Sequence, residues 1–221
     1  MVRILVQIQH QGNELNIDII STSVYQYRNS LLKCLNIYRR HVIEVEIKVK
    51  IDNPGSIRSN LEKLGSIYFD NQNQIDTYYN ASEGGRDFAR TDEALRIRRI
   101  GEISFITYKG PKIHTLSKSR KEIEIEIKDP TGAAEILSAL GFTQVMTVIK
   151  SRDIYRLDQY EISLDNVKEL GDFLEIETSA EFESEVPTKV DSIFGLLAEL
   201  DLKLEDTITK SYLELLLEKK G

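Results

Sequence analysis

From Val42 to Ile51 the chain alternates without a break. Ile43, Val45, Ile47, Val49 and Ile51 fall on one side of an extended backbone, and Glu44, Glu46, Lys48 and Lys50 fall on the other. Successive side chains of a strand point to opposite faces, so this is a strand with one apolar face and one face carrying both signs of charge. Such a strand usually lies half buried with its charges in water. Charged faces of both signs recur on later strands, however, and several such strands can close into a barrel. If the charges then line the interior, the apolar faces need covering from outside by helices. Which way the charges point therefore decides what the chain can do.

The totals exclude several classes. The chain has 221 residues, 41% of them apolar and 29% charged, enough for one good-sized domain with a substantial core. A net charge of −7 argues against bulk nucleic-acid binding, which calls for a basic surface. Cys34 is the single cysteine, which rules out an intrachain disulfide and fits a reducing compartment. No apolar run approaches the roughly 18 residues of a membrane span, and no signal peptide is visible. The expectation is a cytoplasmic protein with no membrane and no nucleic-acid partner.

Residues 1–41 differ from the rest: Val2 to Ile8 is weakly strand-like, Ser30 to Tyr38 has a helical pattern, and charge alternation is missing. They read as an N-terminal extension or as a mis-called start, because a GTG codon for Val42 would also serve as an initiator; residues 42–221 read as the barrel domain. After the first strand, Ile57, Leu61 and Leu64 recur at helical spacing and Gly65 stops the helix. A strand is expected at Gln74 to Asn80, a loop at Ala81 to Asp92, and a hairpin of Ala94 to Ile100 with Ile103 to Lys109 around Gly101-Glu102. Pro111 to Lys118 reads as a loop and Arg120 to Lys128 as an alternating strand. Thr131 to Leu140 reads as a helix closed by Gly141. Strands at Val145 to Leu157, Tyr160 to Val167 and Asp172 to Ser179 follow, then helices from Pro187 to about Leu200 and from Thr209 to Lys219. The fold class is α+β: a closed, eight-stranded, mainly antiparallel β-barrel covered by α-helices.

Collected by strand, the charged faces give Glu44, Glu46 and Lys48; Arg96 and Arg98; Lys109; Arg120, Glu122, Glu124 and Glu126; Lys150 and Arg152; Asp165; and Glu175 with Glu177. Taken singly, each pair reads as the wet face of an antiparallel sheet. Taken together, they supply what a metal-bound triphosphate needs. Lys and Arg neutralise non-bridging oxygens, Arg bidentately. Carboxylates hold a hard cation through oxygen. His10, His41 and His114 are scattered and offer no zinc spacing. Tyr78, Tyr79, Phe173 and the Ser211-Tyr212 pair read first as packing residues.

These residues and their order resemble the CYTH family of triphosphate tunnel metalloenzymes. Glu44-Val45-Glu46-Ile47-Lys48 is similar to the family's ExExK signature. The resemblance continues through Gln74 to Tyr79, Ala94 to Arg98, Thr107 to Pro111, Ser119 to Glu124, Lys150 to Arg152, Ile162 to Asp165 and Leu170 to Glu177. It runs from about Val42 to Leu217 and looks closest to the CyaB-like, class IV adenylyl cyclase branch. It implies Mg²⁺ or Mn²⁺ as cofactor and ATP, thiamine triphosphate or tripolyphosphate as substrate. It implies phosphate binding by Lys48, Arg96, Arg98, Lys109, Arg120, Lys150 and Arg152. The metal ligands it implies are Glu44, Glu46, Glu122, Glu124, Asp165, Glu175 and Glu177, with Glu44, Glu46, Lys48 and Lys109 at the centre of catalysis. A cyclase, a triphosphatase and a non-catalytic polyphosphate- or nucleotide-binding module share this wall. Family members are often dimers, so a homodimer is an expected assembly, although no seam is legible in the sequence.

Overall fold

A computed structural model describes residues 6–11, 14–19, 43–81, 85–112 and 120–220. The chain forms two units, 1–40 and 41–221. In the first, β1 (Val6–Gln11) and β2 (Glu14–Ile19) make an antiparallel hairpin with Val6 opposite Ile19. The helix expected at Ser30 to Tyr38 lies outside the described residues.

The second unit is a barrel of eight strands: β3 (Ile43–Lys50), β4 (Ile67–Ala81), β5 (Ala94–Ile100), β6 (Ile103–Lys112), β7 (Arg120–Ile127), β8 (Phe142–Leu157), β9 (Tyr160–Val167) and β10 (Gly171–Ala180). Around the barrel the order is β10-β3-β7-β6-β5-β4-β8-β9, and every neighbouring pair is antiparallel. The seam between β3 and β7 rests on Ile43 opposite Lys121 and Glu44 opposite Arg120. Five helices accompany the strands among the described residues of this unit: α1 (Pro54–Lys63), α2 (Phe88–Thr91), α3 (Pro130–Ala139), α4 (Val186–Glu199) and α5 (Tyr212–Lys220).

Local chemistry fixes the connections. The Asn53 side chain accepts from the Ser56 amide at 3.2 Å with Pro54 entering α1, and Asp129 accepts from the Gly132 amide at 2.9 Å with Pro130 entering α3. Gly65 and Gly141 leave these helices at φ of 82° and 86°, a left-handed turn that a side chain would strain. The expected strand at Gln74 to Asn80 is longer than its apolar pattern announced. It begins at Ile67 and pairs with β8 along its length, through a register shift between Tyr68 and Asp70. The polar run Asp70 to Gln74 hid this extension. The expected loop at Ala81 to Asp92 contains the short helix α2, tied down by the Glu93 carboxylate, which accepts from Arg86 Nε and Nη2 and from the hydroxyls of Thr91 and Tyr108.

The apolar strand faces point outward. Val45, Ile47 and Val49 join Leu174, Ile176 and Ile162 under Val190, Ile193 and Leu197 of α4, with Ile57 and Leu61 of α1 alongside. On the other side, Leu95 and Ile97 pack with Phe88 and with Leu137 of α3. Covering is incomplete: Ile75, Ile123, Ile125, Val145 and Ile149 remain between 39% and 48% exposed on the outer wall.

Ile193 is fully buried between α4 and the sheet. Ile193→Ala should cost about 2–5 kcal/mol, read as a lower urea midpoint with an unchanged slope. Because the contact is on the outer face, the ion pairs of the inner face should be undisturbed.

Candidate active site

With the apolar residues outside, strand parity sends the charged ones inward. Glu44, Glu46 and Lys48 of β3 share the interior face with Glu175 and Glu177 of β10, and cross-strand pairing sets Lys48 opposite Glu175 and Glu46 opposite Glu177. Lys48 is 1% exposed, and its ammonium lies 3.0 Å from the Glu175 carboxylate. From β8, Arg152 grips Asp165 with two short bonds of 2.6 Å and also reaches Glu175. Lys150 lies 2.8 Å from Asp165. Burial, with Arg152 adjacent, pushes the Lys150 ammonium down to about 8 against the pull of Asp165 and Glu175.

A second cationic group faces it from β5. Arg98 donates bidentately to Asp76 at 2.7 and 2.6 Å, and Arg96 lies 3.6 Å from the same carboxylate. Burial alone would raise the Asp76 carboxyl, but Arg98 and Arg96 hold it well below the usual carboxylate range. Arg96 also lies within 3.7 Å of Glu122 and 3.9 Å of Glu124, the latter accepting from the Thr107 hydroxyl at 2.8 Å.

Toward the start of β3 the balance turns acidic. Lys109 lies 3.1 Å from Glu44 and 2.7 Å from Glu122. Burial, and to a lesser degree Glu122, keep the Glu44 carboxyl above its ordinary value despite Lys109. Glu177 is pushed well up by burial and by Glu44, Glu46 and Glu161. Lys109 and Arg96 hold the neighbouring Glu122 carboxyl down, and carboxylate oxygens gathered this way are the donors a hard divalent ion takes. Among the described residues no three carboxylates are already gathered as a metal cluster; Lys109 holds two of the candidates together instead. The donor set thus fits a divalent metal in kind.

The structure brings most of the residues expected from sequence to one interior. Asp165, expected with the metal ligands, sits among Lys150, Arg152 and the Tyr212 hydroxyl, which donates to it at 2.8 Å. Glu175 likewise lies between Lys48 and Arg152. Arg120 turns to Asp92, donating to its carbonyl at 3.2 Å. Asp76 escaped the reading of charged faces, and Tyr212 was read first as a packing residue. Asp76 is 2% exposed and orients both arginines of β5; its parity with Gln74 and Tyr78 on β4 was the available signal. Tyr212 lies on a helix, where no alternation marks an inward residue.

Comparison with known proteins agrees with this arrangement. The CYTH domain model matches residues 42–212. A Methanocaldococcus jannaschii protein whose name provisionally assigns it as an adenylate cyclase is 43% identical over 174 residues, covering 79% of this chain and 98% of that protein. The adenylate cyclase CyaB of Aeromonas hydrophila is 26% identical over 171 residues, covering 76% of this chain and 86% of its own length. Among solved structures, the PH1819 protein of Pyrococcus horikoshii superposes with a TM-score of 0.72 at 40% identity, covering 80% of this chain and 99% of that one. The chain belongs to the CYTH domain family, a membership that supports an enzyme acting on a triphosphate with a divalent metal.

Proposed function

We propose that this protein is a class IV adenylyl cyclase-like enzyme that converts ATP to cyclic AMP and pyrophosphate with Mg²⁺ or Mn²⁺, in a working unit of residues 42–221 to which 1–41 are an added segment. The single observation that carries this reading is the enclosed two-sign interior, in which Lys48, Lys150, Arg152, Arg96 and Arg98 converge beside the carboxylates Glu44, Glu122 and Glu124, bridged by Lys109 and Arg96. The names of the M. jannaschii and A. hydrophila relatives support the cyclase over other triphosphate chemistry.

In this reading the cations bind the phosphate oxygens, with each arginine already oriented by a carboxylate: Arg152 by Asp165 and Glu175, and Arg98 by Asp76. A preorganised wall stabilises charge that develops on the transferring phosphorus without reorganising at the moment of reaction. Glu44, Glu46, Glu122 and Glu177 would hold the metal, with Glu124 beside them; when bound, the metal supplies Lewis-acid polarisation of the phosphoryl oxygens. Lys109, between Glu44 and Glu122, keeps that acidic group together and offers a charge to the phosphates. Asp165 and Glu175 act here as anchors of the cationic wall. No helix among the described residues is long and apolar enough to cross a membrane.

Product analysis tests the reading. The purified protein with Mg²⁺ or Mn²⁺ should turn ATP into cyclic AMP and pyrophosphate. Orthophosphate from ATP, tripolyphosphate or thiamine triphosphate would assign hydrolysis instead, and binding without product a non-catalytic module. Glu44→Gln and Lys48→Met should each lower kcat/KM by about 10²–10³-fold, the scale on which a preorganised charge acts. Glu177→Gln separates function from stability. A carboxyl raised by its surroundings costs the fold stability once it ionises, a loss that grows as pH rises through the ordinary carboxylate range toward the raised value. The glutamine variant should therefore melt higher than the parent at neutral pH without metal, yet gain less from added Mg²⁺. Lys150, near 8, should take up a proton when an anion binds above that pH. Calorimetry of tripolyphosphate binding in buffers of differing ionisation enthalpy should show the uptake, and Lys150→Met should abolish it.

A further inference from the structure

One stretch of the inner wall carries amides in place of acids and bases. On β4, Gln72 and Gln74 stand between Asp70 and Asp76. Gln74 lies opposite Lys150 on β8 and Ile100 on β5, and Gln72 lies opposite Arg152. Residues directly opposite share a face, so both glutamines line the barrel beside the phosphate-binding groups. They form a directed chain. Gln74 donates through Nε2 to Gln72 Oε1 at 2.7 Å, and Gln72 donates through Nε2 to Asp70 Oδ2 at 3.0 Å. Asp70 Oδ1 accepts in turn from the Asn71 amide at 2.9 Å. A carboxylate only accepts, so it fixes which way the Gln72 amide faces, and through it the amide of Gln74. The chain ends on Gln74 Oε1, an acceptor.

That acceptor is buried and unsatisfied. Gln74 is 2% exposed, and among the described residues no donor reaches its Oε1. The nearby cations are committed to carboxylates, Lys150 to Asp165 and Arg98 to Asp76. A buried oxygen without a donor is a standing cost to the fold, which a ligand recovers by donating to it. Arg96 Nε is the opposite case, a buried donor without an acceptor. Phosphate oxygens can satisfy Arg96, but an ionised, metal-bound triphosphate has no hydrogen to give Gln74. The donor has to come from the other part of the substrate.

The neighbours of Gln74 suit the face of a ring. Ile100 is opposite it, and Phe105 on β6, opposite Arg98, is diagonal to Ile100. Both are half-buried on the inner face, apart from the hydrophobic clusters of the outer wall and from the cluster around Phe173. An aromatic face, an aliphatic side chain and one oriented amide oxygen are the elements of a pocket for a planar base. We propose that Gln74 is a specificity-determining residue for the base of the nucleotide: its Oε1 accepts from an exocyclic amine, the 6-amino group of ATP, while Phe105 and Ile100 contact the ring. Asp70 and Gln72 are positioning residues that keep this oxygen toward the base. A 6-oxo purine presents an oxygen there instead, and two acceptors cannot pair, so the site selects 6-amino over 6-oxo purines. This rests on the nucleotide-cyclising reading above.

Calorimetric titration of the full-length protein with Mg²⁺ and 3′-deoxy nucleotides, which lack the hydroxyl that cyclises, tests the assignment beside tripolyphosphate. In the parent, 3′-deoxy-ATP should bind about 10–100-fold more tightly than 3′-deoxy-ITP, the scale of one buried hydrogen bond left unmade. Gln74→Met should bring the two affinities together and leave that for tripolyphosphate unchanged, which also shows the barrel intact. Asp70→Asn, which puts a donor at the far end of the chain, should shrink the preference for the 6-amino base, again with tripolyphosphate unaffected. Phe105→Leu should weaken both nucleotides alike. Equal binding of the two nucleotides by the parent, with tripolyphosphate still bound, overturns the base assignment and leaves the triphosphate reading standing. A preference that survives Gln74→Met overturns it as well. Failure of tripolyphosphate to bind the parent removes the triphosphate reading and this inference with it.

Discussion

Everything in this fold answers to one electrostatic demand: charges taken out of water must be matched inside. Removing one partner of a buried ion pair leaves an unpaired charge and costs several kcal/mol, so a barrel lined by acids and bases is stable only if each is matched at close range. The pairings show how this is met. Asp165 is shared by Lys150, Arg152 and Tyr212, Asp76 by Arg98 and Arg96, and Glu175 by Lys48 and Arg152. With the ionic groups inside, hydrophobic burial has to happen outside, and α4 and α3 exist where they do to provide it.

That inversion explains which parts of the structure were legible in the sequence. Alternation locates a strand and separates its two faces, and β3, β5, β7 and β10 follow from Glu44 to Lys50, Arg96 with Arg98, Arg120 to Glu126 and Glu175 with Glu177. Alternation cannot say which face is inside. A wet sheet and a charged tunnel have the same period, and the order of motifs resembling a family supplied the missing sign. Where alternation fails, as in Asp70 to Gln74, the strand was read seven residues too short. Asp76 was overlooked because an isolated acid flanked by Ile75 and Thr77 offers only its parity with Gln74 and Tyr78, neither of them charged. Its importance comes from Arg96 and Arg98 on the neighbouring strand, a register that only pairing reveals.

Charge also grades along the barrel. In the acidic group, burial first and then neighbouring carboxylates raise Glu44 and Glu177, while Lys109 and Arg96 hold Glu122 down. In the cationic group each carboxylate is outnumbered: Asp165 sees two bases and Asp76 sees two arginines. A site with neutralised walls throughout would gain little by binding either a metal or a phosphate chain. One that segregates its imbalance gains from both, because a metal–triphosphate complex presents a cation to one group and anionic oxygens to the other.

The anchored carboxylates sharpen this. A free arginine fork would have to be ordered as the phosphate arrives, at the cost of its rotamer freedom, whereas Arg152 and Arg98 are already ordered by Asp165 and Asp76. The same carboxylates weaken the net positive field, so orientation is gained against some loss of attraction. Tyr212 bears on that balance. Its hydroxyl donates to Asp165 Oδ2, the oxygen that Lys150 and Arg152 also contact, so part of that oxygen's accepting capacity is met by a neutral group. The two bases thereby keep more of their charge for an incoming anion. A phenylalanine at this position would keep the ring against Phe173 but return that share of Asp165 to Lys150 and Arg152.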